Sequence, residues 1–169
     1  MEFFEVLEKR FSCRNFKNKE VEEEKIKRIM EAVNSAPSAG NLQSYKVFII
    51  KDKEKKQKLV DASFGQEFVG EAPVVFVFCA DQKQNKYGER GKKLYSLQDA
   101  TIAAAYSQLA ATALGLGSVW VGAFNEKEVL EVLGDPKQLL PIAIIPIGYC
   151  NEKPKPRIRK NLEEIFKEL

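Results

Sequence analysis

Val74-Val75-Phe76-Val77-Phe78-Cys79-Ala80 carries no charged or amide side chain at either set of alternating positions. Successive residues of a strand point to opposite faces, so a strand of this kind is covered on both sides. It belongs inside a sheet with further layers above and below. Upstream, Tyr45 to Lys51 is a second β-like run, and Asp52 to Ala62 between the two reads as a solvated helix. Downstream, Leu94 to Leu114 is alanine-rich and apolar around most of its circumference. It reads as the longest helix, buried nearly all round, with small side chains that let another helix come close. Gly115 and Gly117 end it.

Ser118 to Phe124 and Ile142 to Tyr149 supply a third and a fourth strand, with a short helix from Glu126 to Leu133 between them. At the start of the chain, Phe3 to Arg10 is a short amphipathic helix with Phe3, Val6 and Leu7 on one side. Val21 to Ala36 is a longer one, with Ile26, Ile29, Met30 and Val33 at helical spacing. Pro37 stops it. Asp81 to Lys93 is a polar excursion, and the tail from Cys150 to Leu169 begins basic and extended and ends in a helical turn or two. Alternating strands and helices imply one domain over residues 1–169, a central sheet with helices on both faces.

Composition narrows the chemistry. The 169 residues are 44% hydrophobic and 30% charged, with a net charge of +3, a globular balance that does not favour nucleic acid or membrane as a partner. Met1 to Glu5 mixes acids with apolar residues and does not read as a signal peptide, and no apolar run reaches the length of a membrane span. Cys13, Cys79 and Cys150 are odd in number, far apart and lack metal-ligand spacing, which implies a reduced, cytoplasmic protein without a metal site. There is no histidine. Ser-His-Asp and Cys-His sites are thereby excluded, and in an enzyme a cofactor would carry the hard chemistry.

Two basic segments share a design. In extended Arg10-Phe11-Ser12-Cys13-Arg14, the two guanidinium groups and the Ser12 hydroxyl share a face suited to a phosphate. In Lys153-Pro154-Lys155-Pro156-Arg157-Ile158-Arg159-Lys160 the prolines hold the chain extended and the cations alternate, with no acid inside the run. Of six arginines among 27 basic residues, Arg10, Arg14, Arg157 and Arg159 fall in these two segments. Bidentate recognition of an anion accounts for that choice. A basic run alone is more often a solvated surface, and a nucleic-acid patch is the other alternative, although the tail has no interleaved aromatics.

Pro37-Ser38-Ala39-Gly40-Asn41-Leu42-Gln43 places small and amide residues between helix and strand, either an ordinary turn or an edge for a heterocycle. Gly122, near the end of the third strand, permits close approach of a ligand to main-chain N–H groups. Gly115-Leu116-Gly117 is no dinucleotide fingerprint, because it follows a helix and precedes a strand.

In order along the chain, Arg10 to Phe16, Ala36 to Gln43, Glu71-Ala72-Pro73 before an apolar strand, Gly115 to Trp120 after the alanine-rich helix, and the basic segment before Leu162-Glu163-Glu164 together resemble the nitroreductase family. The resemblance covers essentially the whole chain. It implies an α+β fold of three layers, a mostly antiparallel sheet between helices. It implies noncovalent FMN in pockets shared by a homodimer, with the tail from about residue 150 to 169 reaching the partner subunit. The implied reaction moves reducing equivalents from NADH or NADPH through FMN to nitroaromatic, quinone or similar small acceptors. A non-catalytic FMN carrier or redox sensor is the alternative.

By the same resemblance, Arg10, Ser12 and Arg14 contact the FMN phosphate, ribityl chain and pyrimidine end, and Arg14 stabilises charge on the reduced ring. Pro37, Ser38, Asn41 and Gln43 approach the flavin from the other subunit, Gly122 lies by its N5 edge, and Arg157 or Arg159 helps to hold the phosphate. No side chain is implied as nucleophile. Ser44-Tyr45 stands where the family often has Pro-Trp, Tyr106 where asparagine is frequent, and Asp81 to Lys93 leaves little material for a lid.

Overall fold

The computed structural model describes residues 1–83, 86–154 and 157–169; Lys155 and Pro156 of the basic tail lie outside the described residues. The sheet has four strands in the order β1-β2-β4-β3, every neighbouring pair antiparallel. They are β1 (Tyr45–Ile50), β2 (Val74–Asp81), β3 (Gly117–Ser118) and β4 (Leu139–Gly148). β2 is buried along its whole length, as the apolar run Val74 to Ala80 requires, and Asp81 at its end is buried with its carboxylate accepting the Lys83 N–H. Its even residues Val74, Phe76 and Phe78 join Ile145 and Ile147 of β4 in one core. Its odd residues Val75, Val77 and Cys79 join Ile144 in another.

Helices α2 (Glu23–Asn34) and α6 (Ser96–Ala113) cover the first face. Helices α3 (Lys53–Ala62), α4 (Phe68–Glu71) and α7 (Glu126–Val132) cover the second, so the chain folds as three layers. Expected helix α3 is present but not solvated: Leu59, Val60 and Ala62 are buried. Lys56 is buried too, because its Nζ reaches the Ala72 carbonyl at 2.7 Å. Burial pushes this ammonium below the ordinary lysine value.

The third strand is shorter than its sequence suggests. Gly117 pairs with Gly148 and Ser118 with Ile147, and after a gap Val121 bridges Ile144. In that register Pro146 would face Val119. Proline has no N–H to donate, so the ladder lapses there. β4 in turn begins earlier than expected, at Leu139, because Pro141 sits where the register with β2 shifts between Phe78 and Cys79. A bulge is one of the few places that tolerates proline inside a sheet.

Two expectations about the helices also fail in the isolated chain. On α6, Gln98, Thr101, Ala105, Tyr106 and Ala113 are exposed, so this helix has an open stripe rather than complete burial. On α1 (Phe3–Lys9), only Val6 is buried, while Phe3, Phe4 and Leu7 face solvent. The tail likewise carries Ile158, Leu162, Ile165 and Phe166 exposed; among its described residues the only helix is α8 (Leu162–Ile165). No described helix is long and apolar enough to cross a membrane.

The reading of three reduced cysteines is overturned. Cys13 and Cys150 form a disulfide across 137 positions of sequence, and only Cys79, buried in β2, is free. The pairing could not be read from spacing, because the sheet alone brings the start of the chain beside the end of β4.

Candidate functional site: a cationic cavity and a facing loop

The segment after α1 runs along the end of the sheet. Ser12 bridges Ser118 of β3, and the Cys13 N–H donates to the Ser118 carbonyl at 3.1 Å. Phe16 bridges Cys150 just beyond β4. The Lys17 N–H donates to the Tyr149 carbonyl and the Asn151 N–H to the Asn15 carbonyl, each at 2.8 Å. This ladder lays the first basic segment against the start of the second.

Their meeting encloses a cavity of about 510 Å³ lined by Arg10, Ser12, Arg14, Glu152, Arg157 and Arg159, with Phe11 and Lys153. The two basic segments, widely separated in sequence, thus form one wall-to-wall cluster. Glu152 is the one acid among the lining residues, and its carboxylate accepts the Arg14 main-chain N–H rather than a guanidinium. Among the described residues, the side chains of Arg10, Arg14 and Arg159 make no hydrogen bond or ion pair. Burial, with the charges of Arg157 and Arg159, pushes the Arg10 guanidinium below the ordinary arginine value. Like charges gathered without a counter-ion favour an anion strongly enough to select one.

Arg157 is partly engaged already. Its Nη2 donates to the carbonyls of Glu8 at 2.7 Å and Leu7 at 3.4 Å, at the C-terminal end of α1. Cations are favoured at that end of a helix, so Arg157 anchors the tail as well as lining the cavity. Arg159 is the freer of the two.

Pro37, Ser38, Asn41 and Gln43 lie elsewhere. Pro37 and Ser38 line a second cavity of about 640 Å³ with Tyr95 and α6 residues Gln98, Asp99, Thr101 and Ile102. The loop is tightly fixed. Gly40, Asn41 and Gln43 have φ of 58°, 56° and 47°, with Leu42 between the last two at −83°, and these positive angles give the loop its sharp path. Asp99, 2% exposed, accepts the Ala39 N–H at 2.9 Å and the Ser44 N–H at 3.3 Å. Ser38 Oγ accepts the Gln43 N–H, and the Gln43 amide donates to Asn34. Tyr87, from the excursion before α6, packs against Gly40 so closely that a Cβ there would collide with its hydroxyl.

Gly122 belongs to neither cavity. It follows the Val121 bridge, is exposed, and lies beside the indole Nε1 of Trp120. Its N–H has no partner among the described residues. Sequence reading missed Glu152 and Asp99. Glu152 lies just outside the basic run, and nothing in its neighbourhood announces it. Asp99 did carry a signal, a lone acid inside an otherwise uncharged helix, which is seldom found without a backbone to hold.

This geometry can be set beside known proteins. A sequence model of the nitroreductase family matches residues 7–67 and 64–149. The chain belongs to the nitroreductase family. Among curated relatives, an FMN reductase [NAD(P)H] of Bacillus subtilis is 34% identical over 164 residues. That alignment takes in 87% of this chain and 66% of the relative, so the chain spans about two thirds of its length. A putative NADH dehydrogenase/NAD(P)H nitroreductase of Archaeoglobus fulgidus is 33% identical, with 90% of this chain and 87% of the relative covered. Among solved structures, B. megaterium NfrA2 superposes with a TM-score of 0.91 at 26% identity, covering 99% of this chain and 74% of that chain. A nitroreductase family protein of Streptococcus pneumoniae does so with 0.89 at 26% identity, covering 99% and 100%.

Proposed function

We propose that this chain is an FMN-dependent oxidoreductase that takes reducing equivalents from NADH or NADPH and delivers them to small acceptors such as quinones and nitroaromatics. The observation that carries the proposal is the cationic cavity. Arg10, Arg14 and Arg159 converge there with unpaired guanidinium groups, which is the donor set for a phosphate dianion. Bound FMN supplies two-electron redox chemistry between a nicotinamide and an acceptor. Arg10 and Arg159 grip the phosphate, with Arg157 beside them, and Ser12 offers a hydroxyl to the neighbouring chain of the cofactor. Arg14 presents the positive charge that stabilises an anionic reduced ring. The unpartnered N–H beside Gly122 offers a donor with no Cβ in the way.

The working unit in this proposal is a homodimer, with the tail of each subunit on the other. Phe3, Phe4 and Leu7 of α1, the open stripe of α6 and the apolar residues of the tail are left uncovered by their own chain. The fixed loop carrying Pro37, Ser38, Asn41 and Gln43 then closes the partner's site. With a nicotinamide as donor, the cytoplasm is the compartment this reading expects.

Absorbance of the purified protein tests the cofactor, and stopped-flow mixing with NADH and NADPH under anaerobic conditions tests turnover. The expected result is a yellow protein whose flavin band bleaches with at least one nicotinamide and returns with quinone. A flavin band that dithionite bleaches but neither nicotinamide does would replace the enzyme by a carrier or sensor.

A further inference from the structure

The disulfide sits at the hinge of the cationic cavity. Cys13 lies between Ser12 and Arg14, and Cys150 lies two residues before Glu152. A Glu152 carboxylate oxygen and both sulfurs lie within 4.8 Å of one another. The same Glu152 accepts the Arg14 N–H. The covalent link therefore joins the two basic segments within the paired stretch that leads to the cavity, where the Asn151 N–H donates to the Asn15 carbonyl and Glu152 accepts the Arg14 N–H. Gly117 leaves room for it: a Cβ there would come within 2.8 Å of Cys13 Cβ and 2.9 Å of Cys150 Cβ.

Arg10 and Arg14 on one segment repel Lys153, Arg157 and Arg159 on the other, with Glu152 as the single acid between them. Hydrogen bonds from Asn151 to Asn15, from the Arg14 N–H to Glu152 and from Arg157 to the Glu8 carbonyl also tie the segments together. The disulfide adds the one covalent constraint that resists their like-charge repulsion before the anion arrives, and such preorganisation lowers the cost of binding. Cys150 is half-buried and lies two residues before Glu152 of the cationic cavity, a setting in which thiol–disulfide exchange is accessible. Cys13 is fully buried.

Resting on the FMN reading of this cavity, we propose that the Cys13–Cys150 pair is a redox switch on cofactor affinity: oxidised, it preorganises the phosphate site, and reduced, it leaves the two basic segments held by hydrogen bonds alone, so that their like charges spread them and FMN binds more weakly. The reductant is a dithiol. One of its thiolates attacks the Cys150 sulfur, the S–S bond breaks, and Cys13 departs as a thiolate and takes a proton. The second thiol of the reductant resolves the mixed disulfide, so that two electrons pass to the cysteine pair and the dithiol becomes a disulfide.

The test measures Kd for FMN and for riboflavin, in the dark, on the flavin-free full chain before and after treatment with dithiothreitol. Riboflavin lacks the phosphate. On reduction, Kd for FMN rises about tenfold, the equivalent of one charge-assisted contact, while Kd for riboflavin stays within about twofold. Cys150→Ser holds the weaker FMN value under both conditions; should that variant not fold, the two redox states of the unaltered chain carry the test. Thiol titration of the denatured protein gives one free thiol before reduction and three after. Equal weakening of FMN and riboflavin would mean general loosening and overturn the switch, as would an unchanged Kd for FMN or three free thiols after oxidation. Failure of either flavin to bind either form would remove the cofactor reading itself, and the switch with it.

Discussion

Replacing Arg10 and Arg14 together by alanine separates a cofactor site from a basic surface. Neither guanidinium has a hydrogen-bond or salt-bridge partner among the described residues, so their removal breaks no internal contact. It also relieves the repulsion that Arg157 and Arg159 exert on Arg10. The apo protein should therefore melt no lower than the parent, and its Tm should rise slightly. FMN affinity should fall. A hydrogen bond to a charged group contributes about 1.5–3 kcal/mol, and partial exposure of both arginines argues for the lower end. Two such losses amount to about 3 kcal/mol, or roughly 100-fold in Kd at 1.4 kcal/mol per tenfold. Quenching of flavin fluorescence on titration with apo protein reads Kd directly, and the effect should shrink with added salt. Parental affinity in a double variant of unchanged Tm would refute the assignment of the cavity to FMN.

Other substitutions probe the supports of the site. Asp99→Ala leaves the Ala39 and Ser44 N–H groups without their acceptor; at about 1–3 kcal/mol for each, and the longer bond at the low end, stability should drop by about 2–4 kcal/mol in denaturant unfolding. An unchanged midpoint would mean that the loop needs no such anchor. Glu22 bears on acid stability. Its own backbone N–H, then the Tyr149 hydroxyl at 2.8 Å and Lys25, hold its carboxyl down from 4.5 to about 2. A carboxyl depressed in the folded state contributes stability that is complete above its ordinary value and is lost as pH falls from about 4.5 towards 2. Tyr149→Phe should flatten the fall of Tm in that window, and superimposable acid profiles for the two proteins would exclude the contact.

Much of the fold was legible because it depends on patterns within one segment. Val74 to Ala80 of β2 declares its burial by lacking charged and amide residues on both alternating sets, and α2 by its apolar spacing. The failures are places where a second segment decides. The third strand breaks at Val119 because of Pro146, a residue of its neighbour. Lys56 reads as solvated, and is buried only because the Ala72 carbonyl is in reach. Cys13 and Cys150 read as unrelated thiols until Gly117, paired with Gly148 across β3 and β4, leaves space for their side chains at the sheet's end. The basic segments were found by alternation, yet the same alternation could not say that they meet or that Arg157 would also hold the end of α1.

The division of the candidate site is itself informative. Arg10, Ser12, Arg14 and Arg159 offer an anion site with open donors, whereas Ser38 and Gln43 already use part of their hydrogen-bonding capacity to fix their own loop. A loop given three left-handed residues and a buried aspartate as anchor is built to keep its shape before any ligand arrives. A rigid loop beside an open helix stripe, and an anion cavity edged by an uncovered apolar tail, make incomplete sites singly. A two-fold pairing of identical chains turns each half towards the other's, since any contact it makes once it makes twice. In the proposed homodimer, cofactor binding would depend on this pairing, and the loop's rigidity would let one subunit complete the other's pocket.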